Sequence, residues 1–90
     1  MNIEGMDIEA VRSFASQLTS DANEIETLVS QLNSQVSNLQ SQWVGPDATK
    51  FAGDWDSTYR PQLQSVSTAL HEAASVANAN ANQQEQASNS

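Results

Sequence analysis

The chain has no cysteine, so neither a disulfide framework nor thiolate chemistry is open to it. Positive charge is nearly as scarce: Arg12, Lys50 and Arg60 stand against 11 Asp and Glu residues, for a formal net charge of −8. Nucleic acid needs Lys and Arg to neutralise its phosphates, and an anionic membrane needs them too, so both are disfavoured as partners. No run of about 18 apolar residues occurs, so no spanning helix and no stable membrane insertion are expected. Met1 to Gly5 hold no basic segment leading into an apolar one, and no cleavable secretory signal is expected. The three glycines, Gly5, Gly45 and Gly53, are too scattered for a phosphate-cradling loop. His71, the single histidine, lies on a polar stretch and reads as a surface residue. No Ser-His-Asp or Cys-His arrangement and no sugar-type acid pair stands out. Asp47, Asp54 and Asp56 gather near a turn but lack the loop spacing of a calcium site. The expectation is a protein that is not an enzyme and carries no cofactor or metal.

Core formers are few as well. Leu, Ile, Val and Phe make up 17 of the 90 residues, about 19%. Below about 20%, with a large net charge, a chain drifts toward disorder. To fold, this one must gather its apolar residues on one stripe and borrow surface from a partner.

The stripe is there. One row runs Val11, Leu18, Ile25, Leu32, Leu39; a second, four residues on, runs Ile8, Ala15, Ala22, Val29, Val36, Trp43. Alternating steps of three and four put both rows on one helix face. Phe14 and Leu28 flank the stripe and widen it. Asp7 is a suitable N-cap and Glu9 sits in the favourable first turn. A helix over about residues 7–43 would be about 55 Å long at ~1.5 Å per residue. Gly45-Pro46-Asp47 then breaks the pattern over a turn at 44–47. Gly45 suits the positive-φ position after a helix, Pro46 an early position of the next one, and Asp47 caps or charges that N-terminus.

A second pattern, about residues 48–78, runs Ala48, Phe51/Ala52, Trp55, Tyr59, Leu63, Val66, Leu70, Ala73, Ala77. Pro61 lies inside it, and a kink or short irregular turn is expected near Ser57 to Tyr59. So short a connection between two helices makes them antiparallel. The expected fold is therefore all-α: an antiparallel helix-turn-helix hairpin over residues 1–83. It pairs with a second hairpin into a four-helix bundle, and 84–90 form a flexible polar tail. Val11, Phe14, Leu18, Ile25, Leu28, Val29, Leu32, Val36 and Leu39 of the first helix are expected to pack the hairpin and the dimer. Phe51, Trp55, Tyr59, Leu63, Val66 and Leu70 do so from the second. Trp55 and Tyr59 read as core aromatics rather than a ligand site.

Trp43-Val44-Gly45 sits between the two amphipathic helices. With the length, the two heptad patterns and the polar end, it resembles the WXG-motif family. These are the roughly hundred-residue helical hairpins exported by type VII (ESX) secretion systems of Gram-positive bacteria and mycobacteria. The resemblance spans almost the whole chain. It implies a bundle of two hairpins, as homodimer or heterodimer, exported in the folded state without a cleavable signal and engaged by the type VII secretion ATPase. It also implies that Trp43 and Gly45 form the export-motif turn, beside the partner's C-terminal tail. Family tails often carry Tyr-x-x-x-Asp/Glu. Here the only tyrosine, Tyr59, is followed four residues later by Leu63, which leaves that signal to a partner. A second copy is the favoured partner, since solitary oligomers are mostly twofold symmetric, with a related hairpin as the alternative. Two other functions fit the pattern less well. A membrane-active effector lacks the basic polar face it needs. A cytosolic coiled-coil scaffold would make Trp43-Val44-Gly45 a coincidence.

Overall fold

A computed structural model describes residues 6–89, and every element among them is helical. Helix α1 spans Ile8–Leu39, α2 spans Pro46–Asp54, a single π turn follows at Trp55–Tyr59, and α3 spans Arg60–Asn89. The last three run as one arm. The result is an all-α antiparallel hairpin, about 66 Å long and 17 by 16 Å across.

The ends of the elements follow from local chemistry. Asp7 is the N-cap of α1, and its carboxylate accepts from the Ala10 N–H at 3.0 Å. The helix stops at Leu39 rather than at Trp43. From there the chain tightens: the Gln42 N–H donates to the Leu39 carbonyl at 2.9 Å and the Ser41 hydroxyl to the Asn38 carbonyl at 2.8 Å. Such short-range bonds satisfy carbonyls that a helix end leaves without partners. The positive-φ expectation for Gly45 holds at φ 134°, but the residue is the N-cap of α2 instead of the residue after α1. Pro46 takes the first helical position, where its missing N–H costs nothing.

Pro61 explains the π turn. The Arg60 N–H reaches back to the Trp55 carbonyl, one residue further than in an α-helix. The Asp56 carbonyl is then passed over by Arg60, and Pro61 has no N–H to offer it. The Arg60 guanidinium approaches it instead, at 3.5 Å. The irregularity expected near Ser57 to Tyr59 is therefore a wider helical turn that keeps the arm continuous.

That turn inserts one residue and shifts the register. Before it, Ala48 and Trp55 face α1, as the sequence pattern has them. Beyond it, the seam residues are Ser67, Ala74 and Ala81, not Val66 and Ala73. Tyr59 and Val66 are displaced one position round the arm and stand exposed. The seam is built from small side chains spaced by seven on both arms: Ala15, Ala22 and Val29 on α1 against Ser67, Ala74 and Ala81 on α3. Small residues let two helices approach closely, and Ser67 uses the approach to donate its hydroxyl to the Ala22 carbonyl at 3.2 Å. With Ser67 level with Ala22, the antiparallel register sets Ala74 level with Ala15.

The last stretch also differs from expectation. In place of a tail from residue 84, α3 continues to Asn89. Ala81 is fully buried in the seam. The Arg12 guanidinium grips the outer turn, at 2.7 Å from the Asn82 amide oxygen and 3.1 Å from a Glu85 carboxylate oxygen.

Candidate interaction surfaces

Heptad geometry divides the hairpin lengthwise into two unlike sides. One carries Arg12, Thr19, Glu26 and Asn33 on α1, each seven after the last, facing Gln64, His71, Asn78 and Glu85 on α3. The two rows are linked by polar contacts. Arg12 and Glu85 form an ion pair, and His71 Nε2 stands 3.8 Å from a Glu26 carboxylate oxygen. The Trp55 indole N–H donates to the Asn33 side-chain oxygen at 3.1 Å, which lets a nearly buried tryptophan keep its polar atom satisfied. The Arg12 guanidinium bond holds the Glu85 carboxyl below the ordinary carboxylate range, and Glu85 raises Arg12 in turn.

The other side is apolar. Val11, Leu18, Ile25, Leu32 and Leu39 run down α1, with Leu63, Leu70 and Ala77 on α3 beside them. Val11, Leu18, Ile25, Leu63 and Leu70 are half-buried by the hairpin, as is Val36 nearer the seam. Leu32, Leu39 and Phe51 are exposed. Further round, Phe14 and Leu28 are 60% and 54% exposed. Of the side chains expected to pack, only Val29 and Trp55 are buried within one hairpin. Isolated exposed leucines need no explanation, but a row of this length along one side marks an interaction surface.

The third feature is the turn. Trp43 leaves α1 through an N–H bond to the Leu39 carbonyl at 2.8 Å. Its ring tilts 44° against Phe51, with centroids 5.6 Å apart. The indole stays 39% exposed and the neighbouring Val44 is 86% exposed. Gln40, Trp43, Val44, Gly45, Ala48, Thr49 and Ala52 line a shallow cavity there. The Thr49 N–H and hydroxyl both donate to the Gly45 carbonyl, at 3.1 and 3.2 Å, fixing the turn that presents the indole. Gly45 meets no atom within 4 Å of an added Cβ, so its constraint is the positive φ alone.

The acids near the turn are committed elsewhere. Asp54 pairs with Lys50 at 2.8 Å and Asp56 with Arg60 at 3.1 Å. Among the described residues no group of three or more His, Cys, Asp or Glu is placed to hold a metal ion. No described helix is long and apolar enough to cross a membrane. Sequence reading missed Asn33, Arg12 and Ser67, whose roles depend on which arm faces which. Their sevenfold spacing from Thr19 and Glu26, and from Ala74 and Ala81, was the available signal.

Compared with known families, residues 5–88 match the model of the family described as proteins of 100 residues with WXG. No curated protein and no solved structure matches the chain.

Proposed function

We propose that this chain, which belongs to the WXG100 family across residues 5–88, is a type VII secretion substrate. It is exported as a folded dimer and acts through protein–protein contact, including as export partner of another substrate. The observation that carries the reading is the uncovered apolar side. A small helical protein of this family leaves Phe14 and Leu28 more than half exposed beside a continuous leucine and isoleucine row. A second hairpin laid against that side completes a four-helix bundle and removes the row from water. The second copy or relative thereby supplies the core that 90 residues of this composition lack.

In this reading the turn is the export surface. Trp43 is half out of the hairpin, stacked on Phe51 but available to a partner protein, and Gly45 sets the backbone that holds it there. The family's secretion ATPase is the partner the turn would meet.

The test separates recognition from packing. A buried tryptophan truncated to alanine costs about 3–5 kcal/mol, a half-exposed one much less. Trp43→Phe and Trp43→Ala should therefore remain folded dimers and yet fail to be secreted. Gly45→Val should impair export too, because a β-branched residue resists φ 134°. Melting temperatures of the purified variants are set beside their secreted-to-cytosolic ratios in the host. Secretion loss that merely tracks stability loss reduces Trp43 to a packing residue. Normal secretion of a stable Trp43→Ala dimer removes the turn from the export signal.

A further inference from the structure

The apolar side has one charged residue in its partner-facing row. Phe14, Asp21, Leu28 and Gln35 follow one another at intervals of seven, so they form a single row on α1. The row lies one step round the helix from Ala15, Ala22 and Val29, on the apolar side. What Ala22 is to the seam inside the hairpin, Asp21 is to the seam with a second hairpin. Asp21 is half-buried already, and among the described residues its carboxylate accepts from the Gln17 side-chain amide, at 2.8 Å on the same helix.

None of the three Lys and Arg residues is positioned to answer it. Arg12 is tied to Glu85 on the polar side, Lys50 to Asp54 near the turn, and Arg60 to Asp56 beside the π turn. Among the described residues, the ionisable groups along the apolar side of the two arms are Asp21, Glu24 and Tyr59, none of them basic. The apolar row on α1 runs from Val11 to Leu39 and is centred on Ile25, so Asp21 lies about one helical turn from its middle. A twofold self-complex brings the same patch of both copies together at that middle. Each Asp21 carboxylate then enters the seam without a counter-ion, with the two about two helical turns apart. A carboxylate taken out of water unpaired opposes association, whereas one met by Lys or Arg does not.

We infer that Asp21 is a specificity residue of this surface: it weakens pairing between two copies of this chain and favours a second hairpin that brings Lys or Arg to the same level. The inference rests on the reading of the apolar side as a pairing surface, and it names the chemistry of the partner. Specificity of this kind comes from penalising the wrong complex as much as from improving the right one.

Sedimentation equilibrium of the full chain at neutral pH tests it. Asp21→Leu should tighten self-association by about tenfold or more, since it removes the unpaired charge and adds apolar contact. Asp21→Asn should tighten it less. Glu24→Leu, turned further from the seam, should leave it unchanged. A Leu28→Lys copy, whose lysine the same twofold sets about level with Asp21, should self-associate more tightly than a Leu28→Gln copy. Equal dissociation constants for the natural chain and Asp21→Leu, or for the two Leu28 variants, overturn the inference and leave the pairing surface standing. Folded monomers throughout, up to millimolar protein, overturn the pairing surface itself and the inference with it.

Discussion

Along one side of the hairpin the two arms are joined by charges and amides: Arg12 with Glu85, Glu26 with His71, Asn33 with Trp55. Along the other they are lined by Val11, Leu18, Ile25, Leu32, Leu63 and Leu70, with no polar link between the arms among the hydrogen bonds and ion pairs of the described residues. Both sides rest on the same seam of small side chains, four alanines with Val29 and Ser67. The comparison separates two jobs that a larger protein gives to one core. The small-residue seam and the polar side hold the hairpin's own geometry, and the apolar side is the surface the proposed pairing would use. Side chains as small as alanine bury little area each, so the seam by itself is a weak core, and the apolar row keeps hydrophobic area that a partner could bury.

The largest expected effect comes from putting a charge on the apolar side. Ile25→Asp places a carboxylate in the middle of the row, where an unpaired buried charge costs several kcal/mol. Helix content and assembled mass should both fall. The contrasting change on the polar side of α1, at the exposed Glu26, is Glu26→Gln, and it should move stability by no more than about 0.5 kcal/mol. If circular dichroism and light scattering report equal losses for the two variants, the division into sides is wrong.

A smaller effect tests the seam both sides depend on. Ser67 is 2% exposed and lies against the Ala22 backbone. Ser67→Leu puts a large side chain where two helices touch, and overpacking of this kind costs about 1–3 kcal/mol. Ser67→Ala removes only the hydroxyl bond and should cost about 1 kcal/mol or less. A melting temperature for Ser67→Leu at or above that of the natural chain would mean the arms are not held at small-residue distance.

Most of this architecture was legible in the residues. The heptad rows of α1, the cap at Asp7, the break at Gly45-Pro46 and the irregularity before Pro61 are all local signals, and local chemistry decided them. The register of α3 was not legible. Hydrophobicity favours Tyr59 and Val66 over Arg60 and Ser67 and does not tell Ala73 from Ala74, and the π turn that overrides it is a backbone response to one missing N–H. The end of α3 was missed for a related reason. Asn78 to Gln86 offers no large apolar group, but a seam of small residues needs none, and Ala81 fits it as it stands. The hold on Glu85 comes from Arg12, 73 residues away in sequence, and no periodicity within α3 could announce it.

The smallest expected effect lies at that hold. Arg12 and Glu85 are both well exposed to solvent, so the pair should matter for the last turns of α3 and little for the hairpin as a whole. The sign of its pH dependence follows from the direction of the shift. Glu85 titrates below its ordinary value when folded, because the Arg12 guanidinium favours the charged carboxylate. Its contribution is therefore complete above the ordinary carboxylate range and is lost as pH falls through that range and below the folded value. Arg12 stays protonated throughout and adds no second transition. Amide hydrogen exchange between Gln83 and Ser88 should accordingly speed up on acidification relative to the α1–α3 seam, after correction for intrinsic exchange. Glu85→Gln should abolish most of that difference, and added salt should reduce it in the natural chain by screening the pair. Deletion of residues 84–90 should leave the melting of the hairpin nearly unchanged. Acid sensitivity that survives in Glu85→Gln would place the titrating group elsewhere and remove the Arg12–Glu85 pair as its cause.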